Sequence, residues 1–301
     1  FLLMVMRIFF LAGILGSVAL HAHSLQQAFS VHYNQNNDSF SVTYDYDISA
    51  ESFGYFYPDY KDSGWNYLDA HMQEEVDSVD DHLLYSRAIG FLEGYATCNQ
   101  IKTFYPNFHS AVFGTSSPGE GTIQFLQENY DWLKKMAREN SETDDYWYTI
   151  RSVITQLEGV FEGFSASPCL SSNPIKQAPV DFSNIDNPTL MHFLLINAWG
   201  DLYQIALKFL EPGNGARLMG NRHYKNKNGK PVLVERCSSI IKLLQDKSDI
   251  VFGHATWDTF ESLGPRVLKH YSFPIMRKQH AEHHYDVYFS SSPGILSSVD
   301  D

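Results

Sequence analysis

Apolar and polar residues alternate along Ala28-Phe29-Ser30-Val31-His32-Tyr33 and again along Ser39-Phe40-Ser41-Val42-Thr43-Tyr44. Strict alternation puts every second side chain on one face of a strand. The Asn and Asp residues between the two runs are turn formers, so the pattern predicts a β-hairpin. Residues 52–68, dense in Tyr, Gly and Asp, read as loop. The period then lengthens. Residues 80–97 fit a helix containing Gly90-Phe91-Leu92-Glu93-Gly94-Tyr95. Ile123, Leu126, Tyr130, Leu133 and Met136 line one further helical face, and Ile150, Val153, Ile154, Leu157 and Phe161 line another. Asn187 followed by Pro188 predicts an N-cap and first helical turn, with the helix running through Phe193, Ile196, Leu202 and Ile205 and stopping before Pro212-Gly213. These stripes are core-forming, and no chemistry is assigned to them.

Pro212, Gly213, Gly215, Gly220 and Gly229 then interrupt any regular element. From Arg217 to Arg236 there are six Lys or Arg and one acid. A basic, glycine-rich segment of this kind is a solvated and protease-accessible linker. Beyond it, Cys237-Ser238-Ser239-Ile240-Ile241-Lys242-Leu243-Leu244 reads as a buried strand. Gln245-Asp246-Lys247-Ser248 reads as a turn, and Asp249-Ile250-Val251-Phe252-Gly253-His254 as the partner strand, giving a hairpin with the thiol at the start of one arm. Residues 259–271 are expected to be helical. Val287-Tyr288-Phe289-Ser290 opens another strand, followed by the turn Ser292-Pro293-Gly294.

With 44% hydrophobic and 19% charged residues over 301 positions, the chain can bury a substantial core and is not of disordered composition. Its net charge of −13 disfavours nucleic acid and anionic membrane as partners, and is compatible with an acidic compartment. Arg7 precedes the apolar run Ile8 to Leu20, and Ala22 supplies a small residue for cleavage. This is the pattern of a secretory signal peptide over residues 1–22. The apolar run is shorter than the roughly 20 residues a spanning helix needs, so no transmembrane anchor is expected after its removal. Position 1 is not Met, and the sequence is expected to be a fragment. Asn37-Asp38-Ser39 is a glycosylation sequon. Three cysteines leave at least one thiol without an intramolecular partner; if Cys98 pairs with Cys169, that thiol is Cys237. The run Gln279-His280-Ala281-Glu282-His283-His284 matches no metalloprotease helix spacing, and neither a metal nor any other cofactor is expected.

A cysteine that opens a strand behind a cuttable segment defines a chemical device. Breaking the Arg236–Cys237 bond gives Cys237 both a thiol and a free α-amine. Their ordinary pKa values are about 8.5 and about 8, so the amine can take the thiol proton, directly or through water. Before cleavage that base is tied up in an amide, and the precursor is expected to be inactive.

The stretch from Cys237-Ser238 through Lys242-Leu243-Leu244 to Asp249-Ile250-Val251-Phe252-Gly253-His254-Ala255-Thr256-Trp257 closely resembles the signature of the phospholipase B-like family. Gly90 to Tyr95, Tyr146-Trp147, Gln156-Leu157-Glu158-Gly159, Gly200-Asp201-Leu202 and Tyr288 to Asp301 extend the resemblance over roughly residues 27–301. It implies an α+β fold of the N-terminal-nucleophile hydrolase type, an αββα sandwich that is incomplete in this chain. It also implies cleavage between Arg236 and Cys237, a glycan at Asn37, and a secreted or lysosomal address. Cys237 maps to the nucleophile, His254 to a pocket residue beside it, and Thr256 and Trp257 to substrate-binding positions. The implied reaction is hydrolysis of phospholipid acyl esters, with the two cleaved fragments staying associated. Hydrolysis of N-acyl lipids or peptides is the enzymatic alternative, and a non-catalytic, truncated lipid-binding product is the other. Two departures stand out. Ala255 occupies a position where the family commonly carries a polar residue, and family members continue beyond Asp301, where oxyanion-site residues are expected. Truncated sheets expose edges and apolar faces, so poor folding or aggregation is expected. The chain thus divides into the signal at 1–22, a mostly helical part with an early hairpin at 23–211, the basic segment at 212–236, and the start of the catalytic sheet core at 237–301.

Overall fold

A computed structural model of the chain describes residues 26–170, 180–209, 237–256, 264–277 and 280–297. The expected signal peptide, the basic segment with Arg236, and Trp257 lie outside those residues.

The early hairpin forms as the alternation predicts. β1 (Gln27–Asn34) and β2 (Ser39–Thr43) pair antiparallel, with Tyr33 opposite Phe40 and Val31 opposite Val42. The supposed loop at 52–68 instead contains β3 (Ser52–Tyr57), the one-turn helix α1 (Tyr60–Ser63) and the start of β4 (Asn66–Met72). Its many aromatic residues suit a pleated surface, and β4 alternates between buried and half-buried side chains along its whole length. The Asp and Gly residues that gave the segment a loop-like composition fall mostly between the strands: Asp59 and Gly64 flank α1 and Asp62 lies within it.

β7 (Val267–Arg277) and β8 (His280–Ser291) complete a six-stranded sheet in the order β2-β1-β3-β4-β7-β8. Every neighbouring pair is antiparallel except β4 and β7, which run parallel. The helix expected over 259–271 is therefore not formed in its described part: residues 264–266 are irregular, and β7 begins at Val267. Buried Val267, Lys269 and Tyr271 alternate with half-buried Leu268 and His270. The inward lysine hides this two-residue period from a reading based on hydrophobicity.

The helices predicted by periodicity are α2 (Val79–Ala96), α4 (Glu120–Asn140) and α5 (Asp145–Ala166). The sequence pattern did not signal α3 (Cys98–Phe113), which carries Pro106 inside it. The last expected helix is two, α6 (Leu190–Asn197) and α7 (Trp199–Phe209). Its N-cap is Thr189 rather than Asn187, because His192 reaches back to accept the Thr189 N–H at 3.1 Å. A disulfide joins Cys98, the first residue of α3, to Cys169, just past α5. Closing a loop of 71 residues contributes about 4 kcal/mol in the chain-entropy account.

α2 lies between the sheet and α5. Its inner face buries Ala88, Ile89 and Leu92 with Phe56, Leu68, Ala70 and Val267 of the strands. Its outer face meets α5 through four glycines. A Cβ added at Gly90 or Gly94 would stand 2.0 Å from the carbonyl oxygen of Gln156 or Val160, and one at Gly159 or Gly163 would stand 2.1 or 2.0 Å from that of Arg87 or Phe91. The two helix backbones touch, so each four-residue glycine spacing is a packing requirement. A second core joins α3, α5, α6 and α7 around Phe104, Phe108, Phe164, Phe193 and Leu202.

One buried ionic network ties these layers together. Glu93 of α2 and Lys269 of β7 are both fully buried, with Nζ to Oε1 at 2.7 Å. Lys269 Nζ also donates to the Ile295 carbonyl at 2.5 Å, the Gly294 N–H donates to Glu93 Oε1 at 3.0 Å, and the Tyr271 hydroxyl donates to Glu93 Oε2. Burial pulls the Lys269 ammonium down while Glu93 opposes that shift; burial first, and then Glu93, push the Tyr271 phenol up. The Ser292-Pro293-Gly294 turn, with Gly294 at φ 76°, is thereby anchored to the core.

Candidate functional site

Cys237, His254 and Thr256 belong to a ribbon apart from the six-stranded sheet. β5 (Cys237–Leu243) pairs antiparallel with β6 (Ile250–Thr256) as a separate two-stranded sheet. The turn is built by its own polar residues. Asp246 Oδ1 accepts from the Ser248 backbone N–H at 3.2 Å and the Ser248 hydroxyl at 2.8 Å. Those bonds, the hydroxyl first, hold the Asp246 carboxyl below the usual carboxylate range. Lys247 takes the left-handed conformation at φ 57°, and the Leu244 N–H donates to Asp249 O at 3.0 Å to close the loop.

The turn fixes the register, and the register fixes which residues share a face. Cys237 is the first residue of β5 and stands opposite Thr256; Ser239 stands opposite His254. Positions 237, 239, 254 and 256 therefore lie on one face of the ladder, with Cys237 and His254 as diagonal neighbours. Ser238 pairs with Ala255 on the other face. The departure at Ala255 thus falls on the face opposite the thiol position. The strand expected to be buried is open: Ile241 and Phe252, which continue the Cys237 face, are 79% and 77% exposed.

Asn37 is exposed in the β1–β2 turn and accepts a hydrogen bond from the Ser39 hydroxyl at 2.9 Å.

Sequence reasoning missed a second polar constellation, on the sheet face opposite α2. Asp69 of β4 accepts from His71 Nε2 at 3.0 Å and His270 Nδ1 at 2.6 Å through the same oxygen, Oδ1. Burial raises the Asp69 carboxyl, but the two imidazoles outweigh it and hold that carboxyl below its ordinary range. His270 Nε2 faces Asp286 Oδ1 of β8 at 3.0 Å. Among the described residues, Asp69, His71 and His270 form a group able to hold a metal ion, with donor atoms all within 4.8 Å of one another. Asp69 and His270 are 201 residues apart and meet because β4 and β7 pair in parallel, so no local spacing announces them. No described helix is long and apolar enough to cross a membrane.

The protein is thus a mixed α/β body with a separate two-stranded ribbon headed by Cys237. Residues 52–301 match the model of the Phospholipase B family, and the chain belongs to that family. It is 29% identical to Phospholipase B-like protein E of Dictyostelium discoideum over 83% of this chain and 41% of that protein. It is 29% identical to the Putative phospholipase B-like 1 of Caenorhabditis elegans, over 82% of this chain and 38% of the relative. Phospholipase B-like 1 of Homo sapiens is 25% identical over 85% of this chain and 41% of its own length. The chain thus spans about two-fifths of the length of these curated relatives.

Proposed function

We propose that this chain carries the nucleophile of a phospholipase B-like acyl hydrolase, generated when the Arg236–Cys237 bond is cut. The observation that carries the reading is Cys237 standing as the first residue of β5 in a member of this family. In the proposed reaction, the freed α-amine takes the thiol proton and the thiolate attacks the acyl carbonyl of a glycerophospholipid. A carbon–sulfur bond forms, the ester carbon–oxygen bond breaks, and the departing alkoxide takes the proton back from the ammonium. Water, deprotonated by the same amine, then cleaves the thioester, releasing the fatty acid and restoring the thiol. His254, diagonal to Cys237, orients the substrate, and Thr256 and Trp257 belong to the acyl pocket.

Two features support continued association of the cut fragments. β4 lies before the basic segment and β7 after it, yet they share a ladder, and Asn66 Nδ2 donates to Arg266 O at 3.0 Å. The buried Glu93–Lys269 pair also spans the proposed cut. The packing of α2 on one face of the six-stranded sheet supports an αββα reading, in which the separate β5–β6 ribbon is assigned to the second β layer. Residues 1–22 direct export to a secreted or lysosomal destination, with a glycan on exposed Asn37.

The test is fatty-acid release, followed by mass spectrometry, from a diacyl phospholipid and from an N-acyl amide carrying the same chain. Wild-type protein is expected to release acid from the ester, with at least a thousandfold loss in Cys237→Ala, in line with removal of a covalent nucleophile. Equal release by wild type and variant, or release from the amide alone, contradicts the reading.

A further inference from the structure

The polar face of the six-stranded sheet holds a constellation that the acyl-transfer chemistry does not use. Asp69 and His71 lie two residues apart on β4 and so project from the same face. The parallel register sets His270 of β7 beside Asp69. Two imidazoles and one carboxylate thus converge from two adjacent strands.

We infer that Asp69, His71 and His270 form a binding site for one divalent transition-metal ion of the zinc class, through Asp69 Oδ1, His71 Nε2 and His270 Nδ1. Three observations carry this. The first is convergence: Oδ1 stands 3.0 Å from His71 Nε2 and 2.6 Å from His270 Nδ1. A tetrahedral ion with ligands at about 2.0–2.1 Å sets its donors about 3.3 Å apart. Oδ1 therefore has to move about 0.3 Å from His71 Nε2 and about 0.7 Å from His270 Nδ1, and all three donors already lie within 4.8 Å of one another. The second is outer-shell support. The remaining nitrogen of His270 faces Asp286 Oδ1 at 3.0 Å, and Asp286 is itself held by the Ser272 hydroxyl at 2.7 Å. A carboxylate behind a metal-binding imidazole is the usual device for fixing its orientation. The third is rigidity. The His270 ring stacks on Tyr288 at 4.1 Å with parallel planes, and the His71 ring stacks on Phe53 at 5.3 Å.

Charge points the same way. His270 is flanked by carboxylates at both ring nitrogens. A divalent ion at Nδ1 supplies positive charge between them and leaves the Nε2–H on Asp286. Two nitrogen donors of three select zinc-like ions over magnesium or calcium, which favour all-oxygen sites. Three protein ligands leave one position for water. The site also joins strands from either side of the basic segment, so a bound ion fastens β4 to β7.

The experiment uses the full chain without an affinity tag, stripped with a chelator and titrated with Zn(II) by calorimetry. Co(II) is added separately as a spectroscopic probe. The site predicts one Zn(II) per chain, a raised unfolding temperature on loading, and visible Co(II) ligand-field absorption. His71→Ala and His270→Ala each weaken binding by at least about 100-fold, and Asp286→Asn by about 10- to 100-fold. A control carrying His280→Ala with His283→Ala leaves binding intact. X-ray absorption on the zinc-loaded wild type reports two imidazoles and an oxygen shell, which decides the matter even if a variant does not fold. No binding by the stripped wild type, retained binding in folded His71→Ala and His270→Ala, loss only in the double-histidine control, or an absorption spectrum without two imidazoles overturns the assignment.

Discussion

The helical body from α2 to α6 and the β5–β6 ribbon use the same apolar residue types to opposite effect. In the body, Phe104, Phe164 and Phe193 are fully buried, the helix backbones meet at glycines, and the charge of Glu93 is neutralised inside the core. In the ribbon, Ile240, Ile241, Ile250, Val251 and Phe252 are more than half exposed, and they fall on both faces. A strand apolar on both faces has the composition of one buried on both faces. The contrast separates what these residues achieve among themselves from what the candidate nucleophile's strand needs around it. The body positions the sheet; the ribbon sets the register of Cys237 through its turn and ladder.

The largest expected effect lies in the buried network. Glu93→Ala leaves the Lys269 ammonium buried and unpaired and is expected to cost about 3–5 kcal/mol in denaturant unfolding. The double variant Glu93→Gln with Lys269→Met removes both charges and is expected to recover most of that loss. Equal costs for the single and double variants would show that packing, and not the unpaired charge, sets the penalty.

The ribbon should behave in the opposite way. Ile241→Lys and Phe252→Ser are expected to change stability by less than about 0.5 kcal/mol and to reduce aggregation, whereas Phe164→Ala in the body costs about 3–5 kcal/mol. A ribbon substitution as costly as Phe164→Ala would mean that the ribbon is packed in solution, and the comparison between the two regions would fail.

How much of this was legible in the sequence follows from how local each signal is. The hairpin of β1 and β2, the stripes of α4 and α5, and the turn at 245–248 are written within a dozen or so residues, and they form. β3 was hidden by the glycine and tyrosines that gave it a loop-like composition, β4 by Asp69 and His71 on one face, and β7 by an inward Lys269 whose partner lies 176 residues away. Pro106 masked α3. At the candidate site, the hairpin and the position of Cys237 at its head were readable because turn chemistry is local. The Asp69–His71–His270 cluster was not, because only the parallel pairing of distant strands assembles it.

The central claim is that Cys237 becomes a chain terminus that acts as a nucleophile. The most direct measurement is intact mass and N-terminal sequencing of the protein, in this chain and in one extended over the full length of its relatives, beside Cys237→Ala. The account predicts a fragment beginning at Cys237 in the extended wild type and an uncut chain in the variant. An extended wild type that stays whole, or a cut made equally well without the thiol, would contradict it.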